Sequence, residues 1–182
     1  MTGIQNAPAP FRHAVDCLSA LRPRPELALD EIRAPARLAP WAYAIGAEVN
    51  GPADELATGK LILLHDPAGQ QAWGGAWRFA ALVRAELDPE VAADPLLPEV
   101  GWSWLTEALE TAGAEFSTLG GTVTRTSSAR FGDIAGPIRS DDLELRASWT
   151  ADDGPNLIAH GEAFCALVAN TVGLPPIGVT KL

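Results

Sequence analysis

Three histidines, two cysteines and a scattered set of arginines hold most of the chemistry this chain could perform. His13 and Cys17 stand four apart on a predicted helix, with Asp16 beside Cys17. That spacing can present two metal ligands on one helix face. A structural zinc site needs more ligands than this pair supplies, and the chain has no CxxC or HxxxH. The pair therefore reads as a helix face carrying a small hydrophobe and a partly exposed histidine. No metal ligand set is assigned and no cofactor is expected.

His65 and Asp66 end a predicted strand at a Pro-Gly turn. A histidine held by a carboxylate can act as a general base. Neighbours on a strand point to opposite faces, however, so Asp66 before Pro67 reads as a turn initiator. His160 lies on the flank of the last helix's apolar arc, between Phe164 and Leu167, and reads as a packed, hydrogen-bonded core histidine. A nucleophilic triad needs a serine or cysteine on a sharp turn, and no G-x-S-x-G elbow occurs. The stretch "TLGGTVT" lacks a phosphate-loop pattern. No catalytic residue is assigned.

Arg125, Arg130, Arg139 and Arg146 cluster in the second half of the chain, with Arg78 and Arg84 on an earlier strand. Pairing of strands 120–128 and 141–150 as a hairpin would place Arg125 and Arg146 near Glu144 on an outer face. There they form either solvated cross-strand ion pairs or an anion-recognising face. Arg78, Arg84, Arg125 and Arg146 are the candidate ligand-binding residues of that second reading. Trp73, in "GQQAWGG", stands among glycines and polar residues and reads as a contact residue. Trp102 and Trp104 open the helix "GWSWLTEALE". On a wheel of 3.6 residues per turn, Val100, Trp104, Leu105, Ala108, Leu109 and Ala112 fill one arc. Trp104 is inside it and is expected to be a core anchor. Trp102 lies just beyond its edge, so Trp73 and Trp102 are the candidate interaction surface.

The elements that position these residues follow from periodicity. Residues 1–9 are small, polar and proline-containing, and read as flexible. Pro10 opens a helix that Pro23 closes. Residues 22–41 carry Pro23, Pro25, Pro35 and Pro40 and read as an arm wrapping the domain, with one short strand at Leu27–Ile32. Strands are expected over 42–49 and 59–66, the latter ended by Asp66-Pro67. Residues 76–87 alternate, with Trp77, Phe79, Ala81, Val83 and Leu87 on one face and Arg78, Arg84 and Glu86 on the other. Residues 88–98 read as a proline-rich loop before the tryptophan helix, which ends near Gly113. In 141–150, Leu143, Leu145, Ala147 and Trp149 face inward. "ARFGDIAGPIRS" reads as a Gly/Pro turn region between the two later strands. A last helix ends at Gly173 before Leu174-Pro175-Pro176.

The resulting order, α-β-β-β-α-β-β-α, predicts an α+β domain over residues 10–182, with an antiparallel sheet of about five strands and helices on one face. By analogy of element order alone it is similar to secretion-type chaperones, an analogy that proves no function. The chain has 182 residues, a net charge of −10 and 47% hydrophobic residues, so one domain with an ample core is expected. Its acidity disfavours direct contact with nucleic acid or anionic lipid, which bind through Lys and Arg. The cysteines read as reduced thiols in apolar helical patterns. No stretch approaches the length of a membrane span or signal peptide, so a cytoplasmic protein is expected.

The blocks "RPELALDEI", "APARLAPWAYAIGAEV", "ELATGKLILLHDPAGQQAWGG", "GWSWLTEALE", "GGTV", "ARFG" and "LELRASWT", in this order, resemble an actinobacterial family of uncharacterised proteins, domain of unknown function number three thousand. The resemblance covers about residues 11–178 and implies an intracellular protein of similar length. It brings no assigned activity, cofactor or catalytic residue. Through gene neighbourhood it implies a functional link to a ribonuclease D-like protein. Two functions follow as expectations. The first is a non-catalytic protein-interaction module, an adaptor or chaperone-like protein, binding a protein partner or pairing as a homodimer. The alternative is a small-molecule or anion-binding protein or enzyme, with its site on the Arg-bearing sheet face.

Overall fold

Alternating side chains in the middle of the chain build one antiparallel sheet of six strands, in the order β1-β2-β3-β4-β6-β5. The computed structural model describes residues 6–51, 55–134, 136–152 and 154–175. The strands are β1 (Leu27–Glu31), β2 (Trp41–Asn50), β3 (Glu55–Gln70), β4 (Gly75–Glu86), β5 (Phe116–Ala129) and β6 (Arg139–Ala151). The helices are α1 (Ala9–Ser19), α2 (Pro89–Ala92), α3 (Leu97–Thr111) and α4 (Ile158–Thr171). The α+β class, the antiparallel sheet and the element order are as expected. The sixth strand is the proline-flanked Leu27–Glu31, which pairs with β2 along its whole length.

One sheet face carries the core. Tyr43, Leu63, Phe79 and Trp149 lie side by side across four strands, and Ile45, Leu61, Ala81 and Ala147 form the next row. All eight are buried. Burying a large apolar side chain contributes about 1.5–3 kcal/mol, so these rows supply much of the driving force. α4 lies over them and brings Phe164 and Val168 against β3 at Gly59. A Cβ at that glycine would sit 2.8 Å from both side chains, so only glycine lets the helix come this close. Phe11 of α1 stacks on His65 and Trp77 at one end of the same face.

Three details depart from expectation. β3 does not stop at Asp66 but continues to Gln70, and the hairpin turn falls at residues 71–74. Asp66 still makes a local turn, accepting from the Ala68 amide at 3.1 Å, but inside a long, irregular hairpin. The expected loop at 88–98 contains α2 and the first turn of α3, with Pro89 and Pro98 in first-turn positions, where a missing N–H costs nothing. Trp104 is half-buried, not a core anchor. α3 turns Leu97, Gly101, Leu105, Ala108 and Leu109 inward and leaves Val100 41% exposed. The arc is therefore rotated, because Gly101 packs against β5 where a larger side chain would hold the helix off. Cys17 and Cys165 are half-buried free thiols on α1 and α4, and Cys165 packs against the core.

Candidate functional site

His160 is fully buried in α4, and its Nδ1 accepts a hydrogen bond from the Trp149 indole N–H at 3.0 Å. That role places the neutral ring's proton on Nε2. The ring also lies 5.0 Å from Phe79. Burial lowers its pKa from 6.5 to about 4, against a smaller opposing pull from Asp152. It is a packed core histidine, as its place in the sequence suggested. His65 is buried too. Its Nδ1–H donates to the Ala76 carbonyl at 3.0 Å and its ring stacks 3.6 Å from Trp77. Desolvation lowers its pKa. Asp66 turns away to Ala68 and Gln70, so the two do not form a base pair of catalytic type.

His13 and Cys17 do meet, with Nε2 and Sγ 3.7 Å apart on the exposed side of α1. Asn156 Oδ1 lies 4.0 Å from the same sulfur, which puts the amide on the thiol and not behind the imidazole, where a triad would need it. Among the described residues no three His, Cys, Asp or Glu side chains converge as a metal site.

The four candidate arginines divide. Arg84 and Arg146 share the open sheet face and both bind Glu144, at 2.6 and 2.5 Å. Their side chains are 60% and 62% exposed, so solvent screens both pairs and they add little to stability. Hydrogen bonds from Arg146 and then Arg84 lower the Glu144 pKa. Arg78 is on the same face but serves structure. It donates to the Thr118 carbonyl at 2.9 Å, to Thr150 Oγ1 at 3.1 Å and to Ser148 Oγ at 2.7 Å. Thr118 has φ +51° within the irregularity of β5 between Ser117 and Gly120, so Arg78 braces a strained bulge. Arg78→Met is expected to cost about 1–3 kcal/mol by leaving charge-assisted bonds unmade, read as a lower urea midpoint. An unchanged midpoint would remove that bracing role.

Arg125 corrects the hairpin expectation. Strands 5 and 6 pair, but Arg125 stands opposite Leu143, an inward residue. Its side chain thus projects to the helix side and donates to the Ala92 carbonyl at 2.6 Å and the Asp94 carbonyl at 3.3 Å. It clamps the α2–α3 connection onto β5 and does not join Arg84 and Arg146.

Trp102 and Trp73 are both half-buried. A Cβ at Gly121 of β5 would lie 2.8 Å from Trp102 Cζ3, so the indole rests on that bare backbone. Trp73 sits in the β3–β4 turn, and its carbonyl accepts from Thr150 Oγ1 at 2.5 Å. The strongly exposed apolar side chains lie elsewhere. Pairing of β4 with β6 ends at Glu86 and Asp142, while β5 and β6 continue to Ala129 and Arg139. The hairpin therefore projects as an arm, closed by Arg130 N–H on the Ile138 carbonyl at 2.8 Å. At its tip Phe131, Ile134 and Ile138 are 79%, 66% and 77% exposed. Val91, Leu96 and Val100, also exposed, lie on the adjoining α2–α3 segment. Sequence reasoning missed this region. The available signal was three large apolar residues inside a Gly/Pro turn that should be polar.

A groove of about 430 Å³ lies between the α1–β1 connection and α4, lined by Leu21, Arg22, Cys165, Ala169 and Leu174 among others. Arg22 and Arg24 border it with their guanidiniums bonded to Ala20, Leu21, Glu26 and Pro175. Burial pushes the Cys165 thiol up to about 12, so it is an unreactive thiol at neutral pH.

A helix-backed antiparallel sheet with a projecting apolar hairpin thus defines the class of the molecule. The chain belongs to the family described as "Protein of unknown function (DUF3000)", whose model matches residues 7–180. No curated protein and no solved structure matches the chain. No helix among the described residues is long and apolar enough to cross a membrane.

Proposed function

We propose that this protein is a non-catalytic protein-interaction module, adaptor or chaperone-like, working in the cytoplasm of an actinobacterium. One observation carries the reading. Six of the eight large hydrophobic side chains exposed among the described residues, Val91, Leu96, Val100, Phe131, Ile134 and Ile138, flank one end of the sheet. Grouped exposed apolar side chains of this kind mark contact surfaces. The net charge of −10 supports a protein partner over nucleic acid or membrane. The ribonuclease D-like protein suggested by the family resemblance is the first candidate. The alternative, a small-molecule or anion-binding protein or enzyme, draws on the groove beside Cys165 and on Arg84 and Arg146. It is the weaker reading because the guanidiniums there already have protein partners.

The test compares capture of partners from the native cell by the parent and by Phe131→Ser/Ile138→Ser. Both residues are exposed, so the variant should keep the parent's melting temperature while losing captured partners. Equal capture by the two proteins would refute the reading.

A further inference from the structure

Strand β5 ends the sheet, and among the described residues no strand pairs with its outer edge. Such an edge presents a row of N–H and C=O groups ready to pair with another strand. Proteins usually blunt long edges with lysine, proline or acidic side chains. Between Phe116 and Ala129 there is no lysine, proline or acidic residue, and one arginine, Arg125. That guanidinium is turned back onto the Ala92 and Asp94 carbonyls. The opposite edge, β1, has only five residues and contains Asp30 and Glu31.

We propose that the free edge of β5 joins two copies of this chain, strand to strand and antiparallel, about a two-fold axis at Thr124. This deepens the interaction reading above and rests on it by naming the occupant of that surface. Three observations select a second copy. A chain of net charge −10 repels itself across most of its surface, and β5 is a long segment free of acidic side chains. An antiparallel edge is self-complementary under a two-fold axis. The regular part of β5 also chooses its own register. Pairing is continuous from Gly120 to Ala129, and a two-fold axis normal to the sheet sets one residue opposite itself. With Thr124 on the axis, Thr122 faces Thr126 of the second copy, and these outward side chains form a threonine ladder of the kind that favours cross-strand pairing. An axis at Arg125 would set two like charges directly opposite one another.

The same register accounts for the exposed arm. Pairing Gly120 with Ser128 carries the arm tip, with Phe131, past the partner's bulge toward its Leu119 and Phe116, both half-buried. It also sets the two α3 helices, each packed on its own β5, on the same side of the joined sheet. The open edge and the apolar surround thus have one explanation.

Sedimentation equilibrium of the purified chain tests this, with an expected mass near twice 19.1 kDa. Thr124→Lys puts two ammoniums opposite each other at the axis. It should weaken association by roughly tenfold or more, and at concentrations where both proteins are monomeric it should leave the melting temperature unchanged, since the site is exposed in the monomer. Thr124→Cys gives an independent reading. Opposed residues on antiparallel strands lie about 4.5–5.5 Å apart, within disulfide reach. Oxidised glutathione should therefore convert this variant, and not the parent with Cys17 and Cys165, to a covalent dimer. A monomeric parent, a dimer indifferent to Thr124→Lys, or no covalent dimer from Thr124→Cys would each overturn the proposal. A monomer that still loses its captured partners on Phe131→Ser/Ile138→Ser would sink the self-pairing alone and leave the interaction reading standing.

Discussion

Trp149→Ala lowers the unfolding free energy by about 3–5 kcal/mol, the range for removing a large aromatic side chain from a core. Trp149 is completely buried on β6, with its ring 5.5 Å from Phe79. Truncation leaves a cavity beneath α4 and also removes the donor that satisfies His160 Nδ1. A domain of this size is held by only about 5–15 kcal/mol, so the variant sits near the threshold of folding. Trp149→Phe separates the two contributions, because it retains most of the ring and loses the N–H. Its cost should be smaller, about 1–3 kcal/mol. Urea unfolding followed by circular dichroism measures both. A loss below about 1 kcal/mol for the alanine variant would show that the site collapses without strain and that the core is centred elsewhere.

The second large effect is on acid stability. The folded-state pKa of His160 is lowered from 6.5 to about 4, chiefly by burial. The unfolded chain therefore takes up a proton at a pH where the folded chain refuses it. Stability from this group is fully present above about pH 6.5 and falls as the pH drops toward 4. The shift corresponds to roughly 3 kcal/mol across that window. Glu144 acts at a lower pH and in the same direction, since its lowered pKa yields stability that fades as its carboxylate is protonated. Its exposure keeps that contribution small. His160→Phe removes the titration but strands the Trp149 N–H. At pH 7 it should be less stable than the parent by about 1–3 kcal/mol, and the slope between pH 6.5 and 4 should flatten. Urea midpoints taken across the range give the answer, and a parent-like slope in His160→Phe would place the acid sensitivity in another group.

Much of the fold was legible because sheet periodicity is local. Trp77, Phe79, Ala81 and Val83 alternate with Arg78 and Arg84 along a few residues of chain, and the pleat alone sends them to opposite faces. The C-terminal cap at Gly173, with φ +64°, is likewise local, since only a residue free of Cβ strain closes a helix cheaply there. His160 was readable as a core residue from its place beside Phe164 and Leu167. What one stretch of sequence could not determine was how far apart elements slide and rotate before they lock. The wheel put Trp104 inside its apolar arc, because a wheel measures apolarity and not fit. Gly101 against Val123, with a Cβ placed only 3.3 Å from that side chain, sets the rotation of α3. Arg125 went to the helix side because its register partner is Leu143, a long-range pairing that the residues around it do not encode.

The sequence by itself determined the α+β class, the strands and their inward faces, the acidic charge and the buried histidine, all consequences of short-range pattern and composition. Only the tertiary structure decided which strand lies at the edge, where the apolar side chains of "ARFGDIAGPIRS" end up and which arginines meet. Strand order and exposure depend on contacts between residues far apart in the chain, and β5 is an edge only because β6, which follows it, pairs with β4 on its other side.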